Sequence, residues 1–176
     1  MEIKVIKTRK FLPPKGDLLS LIKESIPSLK ENSIVAITSK VVSIGEGRCV
    51  PVGGEPDKED LIKREVDFYL PREENPGHRL HTITNGILVG SAGIDESNSN
   101  GYYILWPKNP EESAKRIWEF LRKEYRVKNL GVVITDSNAV PLKRGIVGHA
   151  IAFYGFSHIK NYVGEKDLFG RKFKYT

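Results

Sequence analysis

An Asn-Gly pair between two β-type runs constrains the fold of this chain more than any other feature. Asn85 and Gly86 separate the apolar and β-branched residues 80–84 from residues 87–89. This dipeptide is the strongest short-range signal for a two-residue hairpin, because both turn positions require positive φ. The sequence therefore predicts that antiparallel strand pairing contributes to the sheet.

Further short runs of apolar and β-branched residues predict more strands. They cover residues 33–39, 102–106, 130–135 and 148–156. The first is expected to be buried and to deliver Ser39 and Lys40 to its end, and the run 130–135 is expected to end on Asp136. Residues 171–176 alternate basic and aromatic side chains, which is typical of a half-exposed strand.

Three segments with helical periodicity each follow a residue that can cap a helix. Asp17 precedes the first, Asp57 the second, which is expected to end before Pro71, and Asn109-Pro110 the third. The third has a core stripe at helical spacing, formed by Ala114, Ile117, Trp118, Leu121 and Tyr125. These patterns predict an α+β fold: a mixed, largely antiparallel sheet packed with about three helices, in two lobes sharing a core.

The composition limits the classes of protein to which the chain can belong. Its 176 residues are enough for a single domain with a substantial core, and 28 basic against 22 acidic residues give a net charge of +6. The charges are scattered and no nucleic-acid motif accompanies them, so we expect no nucleic-acid partner. Cys49 is the only cysteine, and no apolar run resembles a signal peptide or a membrane span. We therefore expect a cytoplasmic protein without a membrane partner.

Two loops carry oxygen ligands directly after small or apolar residues. Residues 91–98 contain Asp95, and residues 135–148 contain Asp136 and Ser137 followed by Lys143 and Arg144. Mg²⁺ and Mn²⁺ prefer one or two carboxylates, hydroxyls and substrate phosphate oxygens, and the two cations would face the remaining phosphate charge. The two loops together predict one divalent-metal and phosphate site.

The residues themselves leave a second interpretation open, because Asp, Ser and Asn clusters also cap turns and helices. Other candidates are weaker. Residues 45–47 form a lone Gly-x-Gly that predicts only a loop. His78 and His81 are expected at the surface, and His149 and His158 are expected to be packing histidines with satisfied nitrogens.

Four motifs in order along nearly the whole chain resemble the coenzyme F420 γ-glutamyl ligase family. They are Ser-Lys-Val-Val-Ser at 39–43 with Glu-Gly-Arg at 46–48, Ala-Gly-Ile-Asp-Glu-Ser-Asn at 92–98, Ile-Thr-Asp-Ser at 134–137 with Arg144, Gly145 and Gly148, and Gly-Glu-Lys-Asp-Leu-Phe-Gly-Arg at 164–171. The resemblance implies a GTP-dependent γ-glutamyl ligase that joins L-glutamate to a phosphate-bearing deazaflavin through an acyl phosphate.

Carried over position by position, the resemblance also implies a set of site residues. Metal ligands would be Asp95, Asp136 and Ser137, catalytic residues Asp95, Asp136 and Arg144, and nucleotide-binding residues Ser39, Lys40 and Asn98. The implied cofactor is Mg²⁺ or Mn²⁺, with GTP as co-substrate. The implied partners are the deazaflavin phosphodiester, L-glutamate and a second copy of the chain in a homodimer.

The chain departs from the family pattern at several points. Ile44 stands where family members carry a lysine that meets the nucleotide, and residues 139–140 replace a Gly-Arg pair. Family chains also continue beyond the position of Thr176, so residues 1–176 are interpreted as a single ligase-like domain lacking the family's C-terminal segment. The alternative function is a non-catalytic or divergent metal- and nucleotide-binding homologue that acts on another acid or with a partner chain.

Overall fold

The computed structural model describes residues 2–74, 80–140 and 142–176. Its elements, in chain order, are α1 (Leu18–Ser25), β1 (Ser33–Thr38), α2 (Ser39–Glu46), β2 (Cys49–Pro51), α3 (Lys58–Glu65), β3 (Phe68–Leu70), β4 (His81–Thr84), β5 (Ile87–Gly90), β6 (Tyr102–Ile104), α4 (Pro110–Tyr125), β7 (Leu130–Asn138) and β8 (Val147–Tyr154). Short 3-10 turns at Arg72–Glu74 and Ser91–Gly93 complete the set. The predicted α+β class, with mixed and mostly antiparallel pairing, is confirmed.

Strand β7 is the centre of the sheet on which the site is built. It pairs in parallel with β1 and antiparallel with β8. Thr38, the last residue of β1, lies opposite Thr135. The chain turns directly from Thr38 into α2, so the first residues of that helix lie beside the part of β7 that contains Asp136.

The predicted hairpin is confirmed. Strands β4 and β5 pair antiparallel, with Thr84 opposite Ile87 across the turn. Asn85 and Gly86 have φ of 51° and 72°, which is the left-handed conformation that the sequence predicted. Strand β3 adds to the other side of β4, and β2 pairs separately with β6.

The three predicted helices are all present. Asp17, Asp57 and Asn109 each accept a hydrogen bond from a backbone N–H three residues on, at 3.1, 2.8 and 3.1 Å, and so cap α1, α3 and α4. The second ends earlier than expected, at Glu65, and Tyr69 lies in β3 instead.

A fourth helix, α2, was not predicted: Ser39 was expected to end a strand and residues 45–47 to form a loop. Gly45 and Glu46 belong to its last turn, and Gly47 ends it with a φ of 71°. A Cβ atom at Gly45 would lie 2.7 Å from the Cβ of Leu18, so this glycine lets α2 pack closely against α1. The prediction of a loop was wrong because packing against α1 and β7 outweighs the low helix propensity of glycine.

Other expectations differ in detail. Strand β1 alternates between half-buried and exposed residues and is therefore not fully buried. Strand β7 continues through Asp136 to Asn138, and β6 stops at Ile104. Residues 171–176 form no strand, although an isolated bridge joins Lys166 to Lys172 and backbone hydrogen bonds join Phe173 to Gly164 and Glu165.

Buried apolar side chains form two clusters. One joins α1, α2 and α4 to the β1–β7–β8 sheet and includes Val42, Ile117 and Ile134. The other includes Ile62 of α3 and Leu105. In the described part of the chain, no helix has the length and apolar content needed to cross a membrane.

Candidate functional site

The first two residues of α2 connect the two acidic loops that the sequence singled out. The hydroxyl of Ser39 donates to Asp136, and the ammonium of the next residue, Lys40, pairs with Asp95. Because Ser39 and Lys40 are adjacent, both carboxylates lie beside the start of the same helix. The structure therefore brings together three parts of the chain that are far apart in sequence.

Asp136 is a buried carboxylate that accepts one hydrogen bond on each oxygen. Ser39 Oγ donates to Oδ1 at 3.1 Å, and the indole Nε1 of Trp106 donates to Oδ2 at 2.7 Å. All three residues are at most 8% exposed. A buried carboxylate is stable only when hydrogen bonds replace the water it has lost, and these two donors supply them.

Asp95 is held by its own loop and by Lys40. Its Oδ1 accepts from the backbone N–H groups of Glu96 and Ser97 at 2.8 and 3.0 Å, and its Oδ2 accepts from Ser97 Oγ at 2.9 Å and from Lys40. Partial burial works to raise the pKa of Asp95, but the hydrogen bonds from Lys40 and Ser97 outweigh it and lower the pKa. Asp95 is therefore ionised at neutral pH.

The loop that carries Asp95 is fixed at both ends. The backbone N–H and C=O of Asp95 form hydrogen bonds with the backbone of Ile104, at 3.0 and 2.8 Å. Upstream, the N–H of Ala92 donates to Thr82 Oγ1 at 2.9 Å, and Thr82 donates in turn to Val89 O at 2.5 Å. These bonds set the direction in which the Asp95 carboxylate leaves the sheet.

Asn138 joins β7 to the hairpin. Its Nδ2 donates to Leu88 O at 2.9 Å, and its Oδ1 accepts from Gly90 N at 3.4 Å. The side chain is 8% exposed, and the contacts are those of a structural residue. They hold the loop that follows Gly90 next to Asp136.

Three other predicted site residues are exposed. Ser137 is exposed whereas its neighbour Asp136 is buried, as expected for successive residues on opposite faces of a strand. The Ser137 hydroxyl therefore does not share a face with the Asp136 carboxylate. Asn98 and Arg144 are exposed, and Asn98 has a φ of 53°.

Two residues of the site were missed at the sequence level. Trp106 was assigned only to a strand, although a tryptophan in an apolar run needs an acceptor for its N–H when it is buried. His149 was expected to be satisfied, but its Nε2 is buried without a hydrogen-bond partner. His149 lies opposite Asp136 in the β7–β8 pairing, and its ring centroid is 6.4 Å from that of Trp106.

The packing prediction for His158 was wrong, because this residue is exposed and only its ring stacks near Phe153, with the centroids 4.0 Å apart. The other two histidines were expected at the surface. His81 is half-buried in β4, opposite Leu70 and Gly90. His78 lies outside the described residues. Neither observation adds a ligand to the Asp95 and Asp136 arrangement.

The carboxylate oxygens of Asp95 and Asp136 are of the type that small divalent cations prefer as ligands. Residues 2–74, 80–140 and 142–176 contain no cluster of three or more His, Cys, Asp or Glu side chains placed to hold a metal ion. However, Mg²⁺ needs only one or two carboxylates when phosphate and water complete its coordination shell. Each oxygen of Asp136 has one hydrogen-bond partner and keeps a second lone pair. At Asp95 a cation would take the place of the Lys40 ammonium.

A cavity of about 410 Å³ lies at the other end of α2, roughly 10 Å along the helix from Ser39. It is lined by Glu46 and by residues at the start of α4. Glu46 is already bonded to Ser113 Oγ and to the N–H of Lys108, at 3.2 Å for the latter. This cavity is therefore separate from the two acidic loops.

Comparison with known proteins places these residues in context. Residues 55–176 match the family model described as F420-0:Gamma-glutamyl ligase. The chain is 31% identical to the Coenzyme F420:L-glutamate ligase of Methanopyrus kandleri and 33% identical to that of Methanosarcina mazei, over 100% of this chain and 75% of each relative. It is 41% identical to the ligase of the same name from Methanocaldococcus jannaschii, over 52% of this chain and 36% of the relative.

Proposed function

The chain belongs to the F420-0:gamma-glutamyl ligase family, and from that membership we propose that it is an amide ligase that adds L-glutamate to a phosphate-bearing deazaflavin cofactor. The proposed co-substrate is GTP, and the proposed metal is Mg²⁺ or Mn²⁺. The observation that carries the proposal is the pairing of Ser39 with Asp136 and of Lys40 with Asp95 at the start of one helix.

The proposed reaction has two steps, and the chain's residues act mainly by binding and orientation. In the first step, a carboxylate oxygen of the acceptor attacks the γ-phosphorus of GTP, and the bond to the β-phosphate oxygen breaks to release GDP. In the second, the amine of glutamate attacks the acyl carbon, phosphate leaves with the bonding pair, and the amine loses a proton to solvent. The product is an amide.

Positive groups near the helix start would hold the phosphates. Lys40 is 39% exposed in its side chain, so its ammonium can move from Asp95 to a phosphate oxygen. Ser39 is fixed by Asp136 and places the first turn of α2 beside that position. Asn98 and Arg144 are proposed to approach from their exposed loops, and they would close on bound nucleotide.

Asp95 and Asp136 are the proposed metal-holding residues. When bound, the ion supplies positive charge that offsets the charge of the transferring phosphoryl group. The Ser137 hydroxyl lies on the opposite face of β7, so the metal proposal rests on the two carboxylates. Movement of Lys40 away from Asp95 would leave the Asp95 Oδ2 open to the ion.

A divergent homologue is the second candidate, and Ile44 favours it. This residue stands where the family resemblance implies a nucleotide-binding lysine, and it is 5% exposed within α2. A buried isoleucine cannot contact a phosphate. In this alternative, the chain binds metal and nucleotide but acts on another acid or together with a partner chain.

The proposed working form is a cytoplasmic homodimer whose partners are small molecules, with neither nucleic acid nor a membrane. Cys49 as the only cysteine suits a reducing compartment.

Calorimetric titration tests the nucleotide site first. GTP, and then ATP, is titrated into the purified chain with and without Mn²⁺, and manganese-dependent binding is expected. Asp95→Asn is expected to abolish that binding while the fold stays intact, whereas Asp60→Asn, at an exposed position of α3, serves as the matched control. Equal nucleotide binding by wild type and Asp95→Asn would refute the site.

Mass spectrometry then tests ligation. The chain is incubated with the deazaflavin phosphodiester, glutamate, GTP and Mn²⁺, and a product heavier by one glutamyl residue is expected. Tight nucleotide binding with no such product would support the divergent homologue instead.

A further inference from the structure

Trp106 makes an unusual contact for a buried tryptophan, because its N–H donates to a carboxylate. The residue is 4% exposed, and its Nε1 lies 2.7 Å from Oδ2 of Asp136. The other tryptophan, Trp118, donates to an ordinary backbone acceptor, Leu130 O, at 2.8 Å. Hydrogen bonds to an ionised acceptor are roughly twice as strong as neutral ones, so the Trp106 contact fixes the acceptor firmly.

The surroundings of Trp106 keep the indole in this one position. A Cβ atom at Gly93 would lie only 2.2 Å from the indole Nε1, so the ring lies directly against the Gly93 backbone. The backbone carbonyl of Trp106 accepts from Arg48 Nε at 3.0 Å. Trp106 is therefore held both at its indole ring and at its backbone carbonyl.

The consequence concerns Asp136. With Ser39 on Oδ1 and Trp106 on Oδ2, rotation of the carboxylate about its Cβ–Cγ bond would break both hydrogen bonds. One lone pair on each oxygen stays free in a fixed direction. Ligands that are held by such outer contacts bind metal more tightly, and loss of the outer contact typically lowers metal affinity by about 10- to 100-fold.

We infer that Trp106 is a positioning residue whose indole N–H orients the Asp136 carboxylate for a divalent cation. The inference rests on the metal site of the proposed function and adds to it a residue that acts through Asp136. It assigns different roles to two tryptophans that each donate one indole N–H, but to different kinds of acceptor.

The two tryptophans supply a matched pair of variants, Trp106→Phe and Trp118→Phe. Each loses one indole N–H, but only Trp106→Phe loses a bond to Asp136. Free Mn²⁺ is measured by electron paramagnetic resonance without nucleotide, and thermal melting monitors the fold. Trp106→Phe is expected to weaken Mn²⁺ binding at least about tenfold, and Trp118→Phe is expected to leave it within about twofold of wild type. Equal Mn²⁺ affinity in the two folded variants would overturn the inference, as would a wild type that binds no Mn²⁺.

A second measurement keeps Trp106 in place and so does not depend on the folding of Trp106→Phe. In the Trp118→Phe protein, Trp106 is the only remaining tryptophan. Paramagnetic Mn²⁺ at Asp136 is expected to quench its fluorescence with the same saturation curve as the resonance titration, and adding Asp136→Asn is expected to remove the quenching. Saturable Mn²⁺ binding without quenching of Trp106 would overturn the inference.

The same proteins separate this inference from the ligase function. If the wild type ligates glutamate, Trp106→Phe is expected to raise the Mn²⁺ concentration needed for half-maximal rate and to leave KM for glutamate unchanged. If Mn²⁺ binding depends on Trp106 but no ligation occurs with any variant, the positioning role stands and the ligase function fails.

Discussion

Replacement of Asp136 by asparagine or by leucine separates the structural role of this carboxylate from its proposed cation-binding role. Asparagine can keep a hydrogen bond to each buried partner, since its Oδ1 accepts from Trp106 Nε1 and its Nδ2 donates to the Ser39 hydroxyl oxygen, which then acts as an acceptor. Leucine has a similar size but no polar atom. It leaves the Trp106 N–H and the Ser39 O–H without acceptors.

The magnitude follows from the burial of the two donors. Ser39 is 1% exposed and Trp106 is 4% exposed, so water does not replace the lost acceptor. A buried donor without a partner costs about 1–3 kcal/mol, and two of them cost about 2–6 kcal/mol in the free energy of unfolding. For a chain of this size 1 kcal/mol corresponds to roughly 2–4 °C, so Asp136→Leu should melt at least about 4 °C below Asp136→Asn.

Two assays read the two roles. Differential scanning calorimetry without metal compares the melting temperatures, and the resonance titration compares the Mn²⁺ affinities. Asp136→Asn is expected to fold and to bind Mn²⁺ at least about tenfold more weakly than wild type, because a ligand charge is lost. Equal melting of the leucine and asparagine variants would refute the claim that Asp136 organises Ser39 and Trp106. Wild-type Mn²⁺ affinity in Asp136→Asn would refute its role as a ligand.

Two further predictions concern neighbouring contacts. Lys40→Met removes the main group that lowers the pKa of Asp95, so burial should then raise that pKa. In wild type, the stabilisation from ionised Asp95 is lost only as pH falls through its lowered folded pKa. In the variant, NMR titration of the Asp95 carboxyl carbon should show protonation at a higher pH. An unshifted titration would contradict the pairing of Lys40 with Asp95. Gly93→Ala and Gly101→Ala both place alanine at positive φ, 71° and 83°, but only Gly93→Ala meets the Trp106 ring. The extra crowding should lower stability by about 1–3 kcal/mol relative to Gly101→Ala and change Trp106 fluorescence, whereas equal melting would rule out the close contact.

Elements with a local signal could be predicted from the sequence. The caps at Asp17, Asp57 and Asn109 depend on a side chain and a backbone N–H three residues apart, and the turn at Asn85 and Gly86 depends on its own φ values. Such interactions are complete within a few residues. They form wherever the sequence contains them, and the three helices and the hairpin accordingly follow the prediction.

Helix α2 could not be predicted in the same way. Its sequence contains two valines, an isoleucine and Gly45, which all lower helix propensity. What stabilises the helix is non-local, namely burial of Val42 in the cluster with β7 and close approach of Gly45 to Leu18. The same helix start is what unites Ser39 and Lys40 with the two acids.

At the candidate site, the acids and their loops were identifiable, but the partners of Asp136 were not. The motif around Asp136 gives no sign that Trp106, 30 residues earlier, supplies one of its hydrogen bonds. The position of the Ser137 side chain could have been predicted from the sequence. If β7 continues beyond Asp136, the two-residue period of a strand directs the Asp136 and Ser137 side chains to opposite faces. The predicted end of the strand was placed two residues too early.

The bond between Ser39 and Asp136 spans 97 residues of sequence, and this separation sets the order in which the chain can assemble during synthesis. At roughly 5–20 residues per second, a ribosome adds Asp136 about 5–20 s after Ser39. Throughout that interval α2 has no β7 to cover Val42, which becomes fully buried in the finished protein. Until the strand that carries Asp136 is made, residues 39–46 therefore lack the packing that stabilises them as a helix, and the site at the start of α2 cannot form.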